Sequence, residues 1–241
     1  MKRSRFVPFL LLLAAAGLMG WFLPVLAAAR QDRALEGRAE TVEIRQIDLS
    51  FQSELSAADK LRLIRFRFST AETLPFDRGL FLTDSELRAV LERFLRELSG
   101  RELSLNGQNC SAVPELLVFG DAGSILVWRL TARLDGGWRC EALADDQTGL
   151  LLRCYLSGDP AGWDRLFPRQ EGEQSMEAYA GAALGAALDA HVRRQLPAGH
   201  SVALRTEQGA YGDLLLLEDG RECMRMPYQC VPAQGYLGFN R

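Results

Sequence analysis

Histidine and lysine are the scarcest reactive residues in this sequence of 241 residues. There are two histidines, His191 and His200, and two lysines, Lys2 and Lys60. The histidines stand nine positions apart, which is longer than the spacing of histidine ligands in zinc sites. The chain also contains no G-x-S-x-G, H-E-x-x-H, P-loop or G-x-G-x-x-G pattern. We therefore expect no catalytic residue, no metal ligand and no cofactor, and an enzyme is the less favoured class.

Positive charge is in short supply as well. The chain has 28 lysines and arginines against 31 aspartates and glutamates, a formal net charge of −3. Three of the basic residues, Lys2, Arg3 and Arg5, precede a long apolar run, so the rest of the chain is more acidic still. Proteins that bind nucleic acid need a surplus of positive surface charge. We expect no nucleic-acid partner.

Long hydrophobic runs are absent after residue 30, but one is present at the start. It extends from Phe6 to Ala29 without a charged residue and follows the basic segment Met1–Arg5. About 20 apolar residues are enough for a helix to cross a bilayer, and basic flanks stay on the cytoplasmic side. We predict a transmembrane signal-anchor at 1–29 that contacts the membrane through residues 6–29. The amino terminus would be cytoplasmic and the bulk of the chain extracytoplasmic, in a single-pass membrane protein.

A cleavable signal peptide is the alternative for this segment. Ala27, Ala28 and Ala29 supply the small residues of a cleavage site, and Pro24 interrupts the helix just before them. The apolar core is longer than the 7–15 residues that are typical of a signal peptide, which favours a retained anchor. After cleavage near Ala29 the protein would be secreted instead.

The segment at 30–82 is interpreted as a stalk with an amino-terminal strand and helix. Thr41 to Leu49 is rich in β-branched residues and predicts a strand, and Ser56 to Ile64 predicts a short helix capped by Ser56. Residues 69–82 are expected to be irregular.

The clearest helix covers residues 84–98. Thr83 and Glu86 form a capping-box pattern at its start, and Gly100 marks its end. Apolar residues follow at spacings of three and four, as on one face of a helix: Leu87, Val90, Leu91, Phe94, Leu95 and Leu98.

Two hairpins are predicted next. A three-residue turn at Asp135–Gly137 puts Ala132 opposite Cys140 and keeps the apolar faces matched. The following turn, from Asp145 to Gly149, puts Cys140 opposite Cys154. A strand around Glu115 to Phe119 joins them in an antiparallel sheet, whose apolar face the helix at 84–98 covers.

A helix followed by strands then recurs. Gln174 to Leu196 predicts a second helix, and strands are expected from about Ser201, Tyr211 and Arg221. His191 lies near the apolar side of this helix and is interpreted as a hydrogen-bonded core residue, whereas His200 is interpreted as a surface residue at a strand edge. Either two tandem α+β units or one sheet completed by the later strands fits this order.

The fold class is therefore predicted to be α+β, with an amino-terminal transmembrane helix followed by one or more antiparallel sheets, each covered by a helix. The predicted divisions are the anchor at 1–29, the stalk region at 30–82, an α+β unit at 83–157 and a second helix-plus-strands unit at 158–241.

Five cysteines are present, so at least one lacks an intramolecular partner. Cys140 and Cys154, on the same apolar face, either form a disulfide or pack as two core thiols. Cys223 and Cys230 either clip a terminal loop or stay reduced. Cys110 is expected to be a free thiol.

The sheet residues resemble a known family. Trp128, the segment Gly137-Trp138-Arg-Cys-Glu-Ala and the turn Asp145-Asp-Gln-Thr-Gly149-Leu-Leu-Leu resemble the paired strands and the D-x-x-T-G-x-[IL]-L turn of PepSY-type domains. The resemblance covers about residues 83–156. The same segment is also similar to the PepSY-like or cystatin-like outer domains of membrane-anchored accessory regulators of bacterial sensor kinases. Turn chemistry accounts for Asp145, and the Asp145–Asp146 pair is expected to be solvated.

The resemblance implies binding or inhibition rather than catalysis. We therefore expect a membrane-anchored, extracytoplasmic interaction or regulatory module of the bacterial envelope, with an envelope or membrane protein as its partner. A secreted or anchored hydrolase or small-ligand-binding protein is the alternative. Polar side chains that converge beside His191 or Cys110 would favour the alternative, and an exposed groove or strand edge beside residues 124–156 would favour partner binding.

Overall fold

The computed structural model describes residues 55–167, 175–208 and 210–240. The predicted anchor at 6–29 and the predicted strand at 41–49 lie outside these residues. The helices are α1 (Ala57–Arg67), α2 (Asp84–Ser99), the one-turn α3 (Trp163–Leu166) and α4 (Met176–Gln195). The strands are β1 (Glu72–Pro75), β2 (Cys110–Val118), β3 (Ser124–Arg133), β4 (Arg139–Asp145), β5 (Leu151–Ser157), β6 (His200–Gln208), β7 (Tyr211–Glu218), β8 (Arg221–Val231) and β9 (Tyr236–Phe239).

All nine strands belong to one antiparallel sheet, in the order β1-β2-β3-β4-β5-β9-β8-β7-β6. The α+β class is confirmed, and of the two predicted arrangements the single sheet is observed. We call strands β2 to β5, together with the preceding helix α2, the first half. We call strands β6 to β9, together with the preceding helix α4, the second half. The halves have the same order of elements and join where β5 pairs with β9. The predicted division at residues 157 and 158 stays a prediction.

The local signals around α2 are confirmed in detail. The Thr83 hydroxyl accepts from the Glu86 backbone N–H, and the Glu86 carboxylate accepts from the Thr83 backbone N–H at 2.8 Å. Gly100 ends the helix in the left-handed conformation, with φ of 67°. The hydrogen bond from the Thr83 backbone N–H also lowers the pKa of Glu86, because a backbone N–H stabilises the ionised carboxylate.

The two helices cover one face of the sheet. Two glycines let α4 approach closely: a Cβ on Gly181 would lie 3.1 Å from the Tyr228 hydroxyl, and one on Gly185 would lie 3.2 Å from Leu204 Cβ. Tyr228 and Leu204 therefore mark the helix-covered face in β8 and β6. In β3, strand alternation puts the buried Leu130 on this face.

One predicted hairpin register is confirmed and the other is wrong. Ala132 lies opposite Cys140, as the three-residue turn predicts. Cys140 lies opposite Leu156 rather than Cys154, because the β4–β5 turn is one residue shorter than predicted and a β-bulge between Leu143 and Ala144 adds a further shift. From Arg139 to Leu143 the total shift is two residues, which keeps the paired side chains on their predicted faces; beyond the bulge, where Ala144 lies opposite Leu151, the shift is one residue.

Two short strands occur where none was predicted. β1 lies within the segment at 69–82 that was predicted to be irregular, and it pairs with β2 along the edge of the sheet. β9 has four residues and fills the position between β5 and β8. Both are too short to produce a readable alternation.

β5 and β8 are separated where β9 does not lie between them. We call this gap the seam, and α1 packs into it. β9 pairs only with residues 228–231 of β8, which leaves the outward carbonyls earlier in β8 without a strand partner. Arg62 donates to the Cys223 carbonyl at 2.9 Å, and Arg65 donates to the Arg225 carbonyl. The helix thus satisfies backbone groups that would otherwise require another strand.

Within the described residues, no helix combines the length and apolar character needed to cross a membrane.

Candidate functional site

The Asp145 turn is anchored by the second of the two lysines. Lys60 Nζ lies 2.8 Å from Asp145 Oδ1 and 3.0 Å from Gln147 Oε1, and the charged side chains are 3% and 1% exposed. Asp145 Oδ2 accepts from the Thr148 backbone N–H and hydroxyl at 3.1 and 2.7 Å. Both carboxylate oxygens of Asp145 thus have structural partners, and the turn fixes α1 to the seam.

Asp146 is buried too, so the expectation of a solvated carboxylate pair is wrong. Its carboxylate accepts from Trp128 Nε1 at 2.6 Å and from the backbone N–H groups of Leu80 and Phe81 at 2.9 and 3.1 Å. Asp145 and Asp146 therefore hold two different segments, α1 on one side and the loop before α2 on the other. Each oxygen is engaged by donors, and this arrangement is unlike a carboxylate pair that shares a proton.

His191 is a core residue, as its position near the apolar side of the helix indicates. Its Nε2 accepts from the Leu151 backbone N–H at 3.0 Å, and its ring meets Phe94 edge-on with centroids 5.8 Å apart. Burial lowers the pKa of His191 to about 3, with Arg194 and Arg93 adding repulsion. A neutral imidazole whose lone pair already accepts a bond is unsuited to act as a general base.

The cysteines fall into three environments. Cys140 and Cys154 are brought together on the helix-covered face, with their sulfurs 3.7 Å apart. Cys223 and Cys230 are not brought together, because both lie in the extended strand β8 and are separated by about 20 Å of backbone. Cys110 is a buried free thiol in β2. Burial raises the pKa values of Cys110 and Cys223, and it raises that of Cys230 to about 12.

A groove of about 290 Å³ lies beside the Asp145 turn, where the amino end of α1 meets the loop between α4 and β6. His200 and Glu218 line it, with the His200 Nε2 atom 3.9 Å from Glu218 Oε1. Cys223 lies at its edge and donates to the Leu216 carbonyl at 3.3 Å. The groove is at the small end of the range for ligand pockets.

A second surface lies on the opposite side of the first half of the sheet. Because strand side chains alternate, the residues next to buried Leu130 and Ala132 point away from the helices. We call this surface the arginine face; its residues are Val113, Glu115, Arg129, Arg133, Arg139, Glu141, Arg153 and Tyr155. No described helix covers the outer end of it, where Val113, Arg133 and Arg139 are exposed.

Part of the arginine face is held rigid by contacts within it. Arg129 binds both carboxylate oxygens of Glu115 at 2.8 and 2.7 Å, and this hydrogen bonding raises the pKa of Arg129. Tyr155 donates to Glu141, and the Arg153 guanidinium lies 5.3 Å from the centre of the Tyr155 ring. Burial, followed by the bond to Glu141, raises the pKa of Tyr155. These residues form a fixed platform.

The other part is electrostatically unbalanced. Arg133 and Arg139 lie directly opposite each other at the last pair of the β3–β4 hairpin. Like charges at opposed positions destabilise a hairpin. Among the residues that the structure describes, the carboxylate in contact with this pair is that of Glu141, 3.8 Å from Arg139 Nε. The sequence did not single out these arginines; the visible signal was the alternation of Arg129, Thr131 and Arg133 on the polar side of β3.

No protein-family model matches this chain, and neither does any curated protein or any solved structure.

Proposed function

We propose that this protein is a membrane-anchored, extracytoplasmic interaction module of the bacterial envelope and that it acts without catalysis. Residues 6–29 form the anchor in this proposal, and the PepSY-like or cystatin-like relationship applies to the α2–β5 half. The titratable groups that a reaction would need are engaged elsewhere: His191 accepts a backbone N–H, and Asp145 is paired with Lys60. The arginine face is a polar surface whose outer end stays exposed.

The arginine face is the observation that carries the proposal. It contains four arginines against two glutamates, on a chain whose formal net charge is −3. Arginine and tyrosine are enriched among the residues that dominate protein–protein binding energy. Arg133 and Arg139 repel each other in the free protein, and an acidic group between them would relieve this repulsion. We therefore expect the partner to present aspartate or glutamate side chains.

A protein partner is favoured over nucleic acid. The overall negative charge of the chain opposes the approach of a polyanion, whereas a short acidic segment of a protein meets only the local positive patch. The rigid Arg129–Glu115 and Tyr155–Glu141 contacts beside the patch supply fixed polar groups that favour one orientation.

Photo-crosslinking in the native cell tests this proposal. A photoreactive amino acid replaces Val113, which lies on the arginine face and is 47% exposed. The matched control replaces Tyr211, which is 56% exposed in the other half of the sheet. We expect a defined protein adduct from position 113 but not from position 211, with an acidic crosslinked peptide. Equal adducts from both positions, or none from position 113, would refute the assignment of the face.

The location of the chain is tested separately. A reporter that is active only outside the cytoplasm is fused after Arg241. We expect activity that stays with the membrane fraction. If a reporter that works only in the cytoplasm were active at this position, a partner in the envelope would be excluded. Reporter activity in the medium would support cleavage near Ala29.

Small-ligand binding is the second candidate, and the groove beside the Asp145 turn favours it. The groove combines apolar walls with His200, Glu218 and Cys223. An Ala58→Trp substitution would fill it, since Ala58 is one of the lining residues. If the groove is the working site, this variant loses function in the cell while crosslinking from Val113 is retained; our proposal expects function to persist.

A further inference from the structure

Cys140 and Cys154 are the two cysteines whose sulfur atoms are in contact among the described residues. Their Sγ atoms lie 3.7 Å apart, on neighbouring strands β4 and β5 and beneath the helices. They are diagonal neighbours: Cys140 is opposite Leu156, and Cys154 is opposite Ala142. Formation of a disulfide bond would shorten the distance between the two sulfurs by about 1.6 Å.

The other thiols do not offer a competing pair of the same quality. Cys223 and Cys230 are kept apart by the extended strand that contains them both. Cys110 lies opposite Ala132 in the β2–β3 pair, one strand further from Cys140 than Cys154 is. Oxidation of the folded sheet is therefore expected to select one pair out of five cysteines.

We propose that Cys140 and Cys154 are a site of covalent modification and form an intramolecular disulfide in the presence of a disulfide oxidant. One cysteine loses its proton to solvent, and its thiolate attacks the oxidant's disulfide, so that a mixed disulfide forms and one oxidant thiolate leaves. The second cysteine then attacks the protein sulfur of the mixed disulfide and releases the other oxidant thiolate. Two electrons and two protons pass to the oxidant, which becomes two thiols.

Burial determines when this reaction takes place. Both side chains are almost fully buried, at 0% and 2% exposure, so an oxidant reaches them before the helices close over the sheet or during a local opening. The hydrogen bond with Cys154, together with burial, raises the pKa of Cys140, which slows attack from the closed state. The resulting bond would tie β4 to β5 across the turn that contains Asp145.

Peptide mapping tests the inference, and it does so independently of the proposed function. The full chain, purified in detergent, is refolded from the reduced state in a glutathione disulfide buffer, and free thiols are then alkylated. Trypsin cleaves after Arg139 and Arg153, so Cys140 and Cys154 begin two separate peptides. We expect these two peptides to be joined, and we expect the mass of the chain before alkylation to be two hydrogens below that of the reduced chain.

Two variants complete the experiment. Cys110→Ser is expected to keep the linked peptides, and Cys140→Ser is expected to lose them. The inference is overturned if the refolded chain carries alkyl groups on both Cys140 and Cys154, or if the linked peptides contain another pair. Should Cys140→Ser fail to fold, the map of the parent chain and that of Cys110→Ser still give the decisive result.

Discussion

The two halves of the sheet end their corresponding hairpins with opposite electrostatics. In the first half, the last pair before the β3–β4 turn is Arg133 with Arg139; in the second half, the last pair before the β7–β8 turn is Glu218 with Arg221. The same architecture therefore accommodates two residues of opposite charge at this position. The opposed arginines are therefore particular to the first half, as the role that we propose for the arginine face requires.

The turns that follow β4 and β8 are stabilised by different kinds of contact. The β4–β5 turn contains the buried Lys60–Asp145 ion pair, whereas the corresponding β8–β9 turn relies on backbone shape. Gly235 has a φ of 61° there, and a Cβ at this position would collide with the Gly158 carbonyl. One half is held at its turn by charge and the other by close backbone packing, so substitutions should separate the two.

The largest effect is expected from breaking the ion pair with Lys60→Met. The substitution leaves Asp145 buried without its cation, and removing one partner of a buried pair costs about 3–5 kcal/mol. Urea unfolding at pH 7 measures the loss. The double variant with Asp145→Asn should recover most of it, because the remaining amide oxygen still accepts from Thr148. A loss below about 1 kcal/mol for Lys60→Met would mean that the pair does not hold the seam.

A pH-dependent effect is expected from His191, which joins α4 of the second half to β5 of the first. The pKa of His191 is about 3 in the folded chain, against 6.5 for an unperturbed imidazole. Between these values the unfolded chain binds a proton that the folded chain does not. Stability is therefore complete above pH 6.5 and falls by up to about 1.4 kcal/mol per pH unit on acidification towards pH 3.

The matched control for this effect is His191→Gln. Its amide oxygen can accept the Leu151 N–H without titrating, so the variant should lose this component of the pH dependence. Unfolding free energies at pH 7, 5.5 and 4.5 give the comparison. Parallel pH profiles for the parent and the variant would show that folding does not lower the pKa of His191.

A smaller difference is expected between the two helix starts. α2 has the reciprocal Thr83–Glu86 box, whereas α4 has a one-sided cap in which Ser175 accepts from the Ala178 N–H. Thr83→Ala should cost about 1 kcal/mol and Ser175→Ala about 0.5 kcal/mol in the free energy of unfolding. Equal losses would indicate that the returning Glu86 contact contributes nothing.

Local features of the fold were readable from the sequence. Thr83, Glu86 and Gly100 define α2 through neighbours within four residues, and the turn at Asp135–Gly137 fixes the β3–β4 register. Ser56 likewise marks the start of α1, where its hydroxyl accepts from the Asp59 N–H. These features rest on short-range chemistry, which single residues specify.

Features that depend on distant segments were not readable. Lys60 and Asp145 lie 85 residues apart in the sequence. β9 is a strand because it pairs with β5 and β8, and its four residues carry no strand pattern of their own. The β-bulge at Leu143 leaves no signal, because apolar residues lie on both sides of it. One clue to the seam was present: apart from Lys2, Lys60 is the single lysine in a chain whose other cations are arginines.

The smallest stability effect is expected at the β3–β4 hairpin, where Arg133 lies opposite Arg139. Arg139→Glu gives the β3–β4 hairpin the opposite charges that β7–β8 already has, so the free energy of unfolding should rise by about 0.3 kcal/mol. The mirror-image control, Arg221→Glu, places two acidic residues opposite each other in the second half and should lower stability by a similar amount.

The yield of the Val113 crosslink in these two variants tests the central claim most directly. We predict that Arg139→Glu, although at least as stable as the parent, reduces the crosslink by at least about tenfold, because an acidic partner then meets a glutamate. Arg221→Glu should leave the yield unchanged. An undiminished crosslink in the Arg139→Glu chain would contradict the assignment of the arginine face as the site that recognises an acidic partner.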